Sequence, residues 1–333
     1  MDRMSNARRR CYIHIGTHKT GTTSIQRLLA RNSAALLERG YLYPESGRMN
    51  EAHPGHHNIA WQIMRDRRFD ERLGTIDDLA REVSGRDEHV VISSEDFESA
   101  VGDEPGLAGL VTRMQSLGLR VTVVLYVRKQ WEYLPRIYCT LLHFGFDEPF
   151  DRILETTLER GEFGWREWTF RFDYCEVLRQ LRAIPDADVA VRPYEAARTS
   201  VCADFLSQLG LTLADLHVPG ELVENVSQPL ATYVRMFLRN RLGRALDAVE
   251  APFADAIVPA GIKNSAVSPP VQRRLARRFL DVNRRLSLLS GVPELALDDA
   301  ARATALPDVP YVDLLFSERS DVMSFGDAGV PLP

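Results

Sequence analysis

A dense run of β-branched and aromatic residues that stops at a glycine, crosses a short loop to a second glycine and restarts as an amphipathic helix can fold in few ways. Residues 11–26, CYIHIGTHKTGTTSIQ, have this form. Cys11 to Ile15 reads as a buried strand. Ile25, Leu28, Leu29, Leu36 and Leu37 recur on one face of a helix that Gly40 ends. The turn between them lies at a helix N-terminus, where backbone N–H groups lack intrahelical partners and carry the positive end of the helix dipole. It is therefore suited to a phosphate, with Thr22, Thr23 and Ser24 adding hydroxyls.

The position of the lysine bears on which phosphate. Gly16 and Gly21 have the separation found in the nucleoside-triphosphatase loop, but Thr22 stands where that loop needs a lysine to reach the β and γ phosphates. Lys19 lies inside the loop instead, placed to stabilise charge on a departing phosphate. The chain has 41 basic residues, yet lysine occurs only at Lys19, Lys129 and Lys263. A lysine kept inside the loop of an arginine-rich chain points to a compact charge rather than a planar fork; for Lys263 codon preference is explanation enough.

The string from Gly16 to Ser24, Gly-Thr-His-Lys-Thr-Gly-Thr-Thr-Ser, resembles the 5′-phosphosulfate-binding loop of the P-loop sulfotransferases, in particular a bacterial branch of that family. The resemblance covers roughly Cys11 to Leu211, and its specific motifs lie in two short stretches. It implies an α/β fold with a mainly parallel sheet flanked by helices, P-loop nucleotide-hydrolase-like, and a donor, 3′-phosphoadenosine-5′-phosphosulfate, that leaves as adenosine 3′,5′-bisphosphate. It also implies that Thr17, His18, Lys19, Thr20, Gly21, Thr22, Thr23 and Ser24 hold the donor. The second motif of the family is an arginine at a strand end with a serine eight residues on, both at the donor's 3′-phosphate. Here Arg128 follows the strong strand Arg120–Val127, but Arg136 replaces the serine. Two guanidiniums suit one phosphate dianion, so Arg136 is expected to contact it together with Arg128. Val191-Arg-Pro-Tyr194 also looks like the bacterial group, whereas the Arg-Lys-Gly loop of soluble animal members is absent.

Two residues are candidates for the base that deprotonates an acceptor hydroxyl. Glu95 follows the strand His89–Ser93, at the carboxyl end where open α/β sheets place their chemistry, and it resembles in order the glutamate base of several glycan sulfotransferases. Asp96 reads as a cap. His57 closes a polar loop, 45–57, that also contains His53 and His56; this is a plain loop, an active-site loop or, with a spacing that matches no zinc signature, a metal site. The expectation is that no metal is required. Helices are expected at 58–65, 76–84, 107–117, after Arg128, at 150–160, 174–182 and 201–209, with a strand at 188–191.

From residue 221 the pattern becomes wholly helical, with long helices over 229–249 and 271–289. This divides the chain into an α/β core (11–220) with the donor site, a helical extension (221–306) and a tail (307–333). Asn225, Ser227 and Asn283 resemble late family positions, or serve as ordinary caps and helix surface. The net charge of -5 argues against a general nucleic-acid binder, and Arg8 to Arg10 reads as a solvated run. No apolar run approaches the ~20 residues of a membrane span and the N-terminus lacks a signal-peptide core, so the expected location is cytoplasmic. Cys11, Cys139, Cys175 and Cys202 lack metal or framework spacing and are expected as free thiols. The expected partner is a hydroxyl-bearing acceptor: a glycan, a lipid or a small metabolite, with Trp61, Trp131, Trp165, Trp168, Phe144 and Phe146 as aromatics for its pocket or for the core. The rival readings are a nucleotide kinase or triphosphatase, which needs lysine at position 22, and a nucleotide-binding module without chemistry.

Overall fold

The computed structural model describes residues 9–216, 228–243, 266–292 and 311–318, with positions 254, 258, 320 and 322. Asn225, Ser227, Lys263 and most of the 307–333 tail lie outside the described residues. The chain forms two compact units. The first is built from Met1–Arg128, Gly164–Glu224 and Arg285–Glu294, and the second from Lys129–Phe163, Asn225–Arg284 and Leu295–Pro333.

In chain order, β1 (Arg10–His14) leads through the glycine loop into α1 (Thr22–Arg31), α2 (Ser33–Glu38), β2 (Tyr41–Leu42), α3 (His57–Met64) and α4 (Ile76–Val83). Then come β3 (His89–Ser93), α5 (Gly106–Ser116), β4 (Arg120–Val127), α6 (Gln130–His143) and α7 (Phe150–Arg160). The small strands β5 (Glu162–Trp165) and β6 (Trp168–Arg171) precede α8 (Tyr174–Arg182), β7 (Ala187–Pro193), α9 (Tyr194–Ala197) and α10 (Val201–Gln208). The described part of the last third is helical: α11 (Leu230–Leu242), α12 (Pro269–Ser290) and α13 (Val312–Leu315).

The first unit is organised by a five-stranded sheet in the order β2-β3-β1-β4-β7, every pairing parallel. Such a sheet is covered on both faces. Alternation along the strands places Tyr12, Val91, Val124 and Tyr126 together against Ile25, Leu28 and Leu29 of α1 and Phe205 and Leu206 of α10. β1 is the central strand. Its chain leaves toward β2, while the chain leaving β4 leads toward β7, so the carboxyl ends of β1 and β4 flank a switch point, the place where such sheets bind ligands.

The helix expected to run on to Gly40 is interrupted at Asn32, whose side-chain amide donates to the Leu28 carbonyl at 2.9 Å. The interruption turns Leu37 to 42% exposure, while Leu36 stays buried. The β5–β6 pair was not expected from the sequence. In the second unit, Tyr138 of α6 packs against Phe146, Phe150 and Phe316 with ring centroids 5.2–5.8 Å apart, and Gln130 and Asn283 exchange two buried amide hydrogen bonds at 2.9 and 3.0 Å. All four cysteines are free thiols. Among the described residues no helix is long and apolar enough to cross a membrane.

Candidate active site

Backbone pairing carries the glycine loop past the end of β1. Ile15 N–H donates to the Val124 carbonyl at 3.0 Å and Thr17 N–H to that of Tyr126 at 2.9 Å, so the loop starts as an extension of the sheet. It then turns sharply. Lys19 (φ 64°) and Gly21 (φ 81°) both adopt the left-handed region, which costs a residue with a side chain about 1 kcal/mol or more. The Arg128 guanidinium donates to the Lys19 carbonyl at 2.5 Å and holds that conformation. Gly21 caps α1 with no side-chain hydrogen bond, so the helix opens on bare backbone. A methyl at Gly16 would lie 2.9 Å from both His14 Nε2 and Thr20 Oγ1 and 3.0 Å from Thr22 Cγ2, and so the close turn requires glycine there. Thr17 Oγ1 is buried and has no hydrogen-bond partner, the kind of orphan that a bound oxyanion satisfies.

The turn after β3 meets this loop. His18 is turned toward it: its N–H donates to Glu98 Oε2 at 3.2 Å, ring Nδ1 lies 3.1 Å from the same oxygen, and Nε2 lies 3.3 Å from Asp96 Oδ1. Burial alone would lower the His18 pKa. The hydrogen bonds and charges of Asp96 and Glu98 outweigh it and push the pKa up to about 10. His18 is therefore an imidazolium that clamps the loop to the turn after β3, and its ring is committed to two carboxylates.

Asp96 is the hub of that turn and not its cap. Ser94 Oγ accepts the Asp96 N–H and takes the capping role. The Asp96 carboxylate, itself buried, accepts indole N–H bonds from Trp61 at 2.7 Å and Trp168 at 3.1 Å in addition to His18. The Arg68 guanidinium lies between the same two indoles, 4.6 and 4.5 Å from the rings, and pairs with buried Asp66. Burial would raise the Asp96 pKa, but the His18 hydrogen bond and the His57 ring 3.7 Å away hold it well below the carboxylate range.

Glu95 and His57 come together. The loop that contains His57 is pinned to β3: His56 N–H donates to the Ser93 carbonyl at 2.7 Å, and the His56 ring accepts Ser93 N–H at 3.2 Å while its Nε2 meets the Pro44 carbonyl at 3.0 Å. This fixes His57 at the start of α3, with Nδ1 3.0 Å from Ser94 Oγ and Nε2 4.0 Å from Glu95 Oε2. Gln26 of α1 donates to the same Glu95 oxygen at 2.8 Å, linking the carboxylate to the helix that the glycine loop begins. Burial works against charge on both groups. Even so, the carboxylates of Glu95 and Asp96 raise the His57 pKa, and the cations of His57 and His18 lower that of Glu95. Each group thus favours the charged form of the other.

Beneath the loop, His14 is fully buried with Nδ1 2.8 Å from Ser93 Oγ, and burial lowers its pKa to about 4. Arg128 is 4% exposed and stacks its guanidinium 4.5 Å from the Tyr194 ring. Arg136 lies on α6, in the second unit, where its guanidinium donates to the Glu132 carbonyl at 2.8 Å. Of the candidate pocket aromatics, Trp61 and Trp168 belong to the Asp96 hub, Trp165 stacks 6.0 Å from Trp168, and Trp131, Phe144 and Phe146 lie in the second unit. Among the described residues no group of three or more His, Cys, Asp or Glu side chains is arranged to hold a metal ion.

No protein-family model matches the chain, and no curated protein matches it. Two of the solved structures that are similar to it are the following. One is the crystal structure of a sulfotransferase from Alicyclobacillus acidocaldarius, 17% identical over 86% of this chain and 96% of that one, with a TM-score of 0.48. The other is from the PezAT chromosomal toxin–antitoxin system of Streptococcus pneumoniae, 10% identical over 84% of this chain and 89% of that one, with a TM-score of 0.31.

Proposed function

We propose that the protein is a sulfotransferase that moves a sulfuryl group from 3′-phosphoadenosine-5′-phosphosulfate to an acceptor hydroxyl. The observation that carries this reading is a glycine loop with a lysine at its turn, set at the same carboxyl end of the sheet as the Glu95–His57 pair that Gln26 ties to the loop's own helix. The orphaned Thr17 hydroxyl and the close turn at Gly16 suit a loop wrapped around an oxyanion. When bound, the donor supplies a sulfuryl group activated as a mixed anhydride with phosphate.

The residues divide the work by chemistry. Backbone N–H groups from Thr20 to Thr23 and the hydroxyls of Thr17, Thr22, Thr23 and Ser24 hold the 5′ end of the donor, while the Thr20 hydroxyl donates to the Thr17 carbonyl at 2.5 Å and braces the loop. Lys19 sets a compact positive charge where negative charge grows on the leaving phosphate. Arg128 fixes the Lys19 backbone and is proposed for the 3′-phosphate. His18 holds the loop against the turn after β3. Glu95, ionised in the free protein, takes the acceptor proton, and His57 serves as its countercharge.

Thermal shift and calorimetry test the reading directly. Adenosine 3′,5′-bisphosphate is expected to raise the melting temperature and bind, and ATP with magnesium to do neither. Stabilisation by ATP with magnesium alone would return the chain to the nucleotide kinases and triphosphatases.

A further inference from the structure

An open cleft of about 1030 Å³ lies in the first unit, between the outer face of α1 and the loop 45–57. Three arginines line it: Arg27 and Arg31 from α1, and Arg48 from the loop. Arg27 and Arg31 are four residues apart, hence neighbours on one helix face. A like-charged pair at that spacing costs an isolated helix about 0.2–0.5 kcal/mol. No acidic residue of α1 offsets it, since the helix reads TTSIQRLLAR. Arg31, in the last turn, gains from the helix dipole, but Arg27 does not. Arg48 stands over the Tyr43 ring at 5.3 Å and pairs at 3.3 Å with Glu45, a carboxylate 87% exposed. Glu45 and Glu51 are the carboxylates in the lining, so the cleft is positive in a chain whose net charge is -5.

The cleft lies on the two segments that also supply Gln26 and His57 to the candidate active site. Pro54 lines it, and the next residue, Gly55, packs so closely against the site that a methyl there would lie 2.7 Å from both the Gln26 amide and His57 Nε2. Arg27 follows Gln26, the residue that donates to Glu95, and itself donates to the Ala52 carbonyl across the cleft wall at 3.2 Å. Arg27 and Pro54 of the lining are thus the chain neighbours of Gln26 and Gly55, which pack against the Glu95–His57 pair.

We infer that this cleft binds the anionic end of the acceptor, so that the acceptor carries a carboxylate as well as the hydroxyl to be modified. The inference rests on the sulfotransferase reading for the word acceptor, and on the three arginines for the charge. Guanidinium forks recognise a carboxylate through paired, charge-assisted hydrogen bonds, which selects a carboxylated sugar or phenolic over its neutral counterpart.

Ligand-observed NMR on the full chain tests this with two matched pairs: 4-nitrophenyl β-glucoside against the β-glucuronide, and phenol against 4-hydroxyphenylacetate. The carboxylated member of at least one pair is expected to bind about tenfold tighter or more, and the pair that shows it identifies the acceptor as sugar or phenolic. The preference should fall severalfold in Arg31→Gln and vanish in Arg31→Gln/Arg48→Gln, with affinity for adenosine 3′,5′-bisphosphate unchanged. Equal binding within both pairs, or a preference that survives the double variant, overturns the inference and leaves the sulfotransferase reading intact. If adenosine 3′,5′-bisphosphate does not bind but an arginine-dependent preference persists, the cleft stands as a carboxylate site and the sulfotransferase reading falls.

Discussion

Lys19 combines two requirements that conflict in most proteins: a long charged side chain and a left-handed backbone. A residue of this size is held there only when its surroundings over-determine it, and the Arg128 bond to its carbonyl is such a constraint. Lys19→Ala is expected to slow release of adenosine 3′,5′-bisphosphate from the donor by about 10²- to 10³-fold, the usual effect of removing one preorganised transition-state contact. The melting temperature should hardly move. Lys19→Arg should fail similarly, because a planar fork does not concentrate charge on one oxygen; near-native turnover in that variant would refute the point-charge role. Turnover also ranks the two base candidates. Glu95→Gln is expected to cost about 10²- to 10⁴-fold and His57→Ala less, since the neighbouring carboxylates favour the protonated form of His57; the reverse order assigns the base to His57. That Lys19 and Glu95 lie just past strand ends was legible in the sequence, because each is within a few residues of a recognisable strand. That Asp96 is a hub was not, because its partners Trp61, His18 and Trp168 are 35, 78 and 72 residues away in the chain.

At the scale of elements, the strands 89–93 and 120–127 and the helices that follow them were readable because their apolar spacing is unbroken and buried. The β5–β6 pair was not. Its turn is Arg166-Glu167, with Arg166 at φ 53°, and lacks the glycine or asparagine that announces a tight turn. The break at Asn32 was hidden for another reason: one side-chain bond to the Leu28 carbonyl interrupts a helix whose apolar period continues across it. Nor did the sequence fix the path of the loop 45–57, which depends on His56 pairing with Ser93. Gly55 is the element-level test of that path. Gly55→Ala puts a methyl into the space of Gln26 and His57, so both must shift. Turnover should fall at least tenfold while calorimetry finds unchanged affinity for adenosine 3′,5′-bisphosphate, because the glycine loop is untouched. Wild-type turnover in Gly55→Ala would separate this loop from the chemistry.

Over the whole molecule, buried histidines of opposite kind set how stability responds to pH. His14 and His56 are buried without a carboxylate partner, and burial lowers their pKa values to about 4 and about 3. Unfolding exposes them to an ordinary value near 6.5. Below that pH the unfolded chain binds protons that the native chain refuses, so their contribution is complete above about pH 6.5 and is lost as the pH falls toward 4 and 3. His18 has the opposite sense. Its pKa is pushed up to about 10, and His57 is raised as well, so their contribution is complete below about pH 6.5 and is lost as the pH climbs toward 10. The depressed carboxylates of Glu95 and Asp96 add a loss only in stronger acid, as the pH falls below their unfolded values near 4. Each histidine contributes a slope of at most about 1.4 kcal/mol per pH unit within its window. The melting temperature is therefore expected to peak near pH 6.5 and to fall on both sides. His18→Gln, which removes the most strongly raised group, should lower the peak and flatten the alkaline limb between pH 7 and 9.5 while leaving the acid limb as steep as before. Calorimetric scans of both proteins at half-unit pH steps decide it: a wild-type melting temperature that stays level from pH 6.5 to 9.5, or an alkaline limb unchanged by His18→Gln, would mean that His18 is not the imidazolium clamp between the glycine loop and the turn after β3.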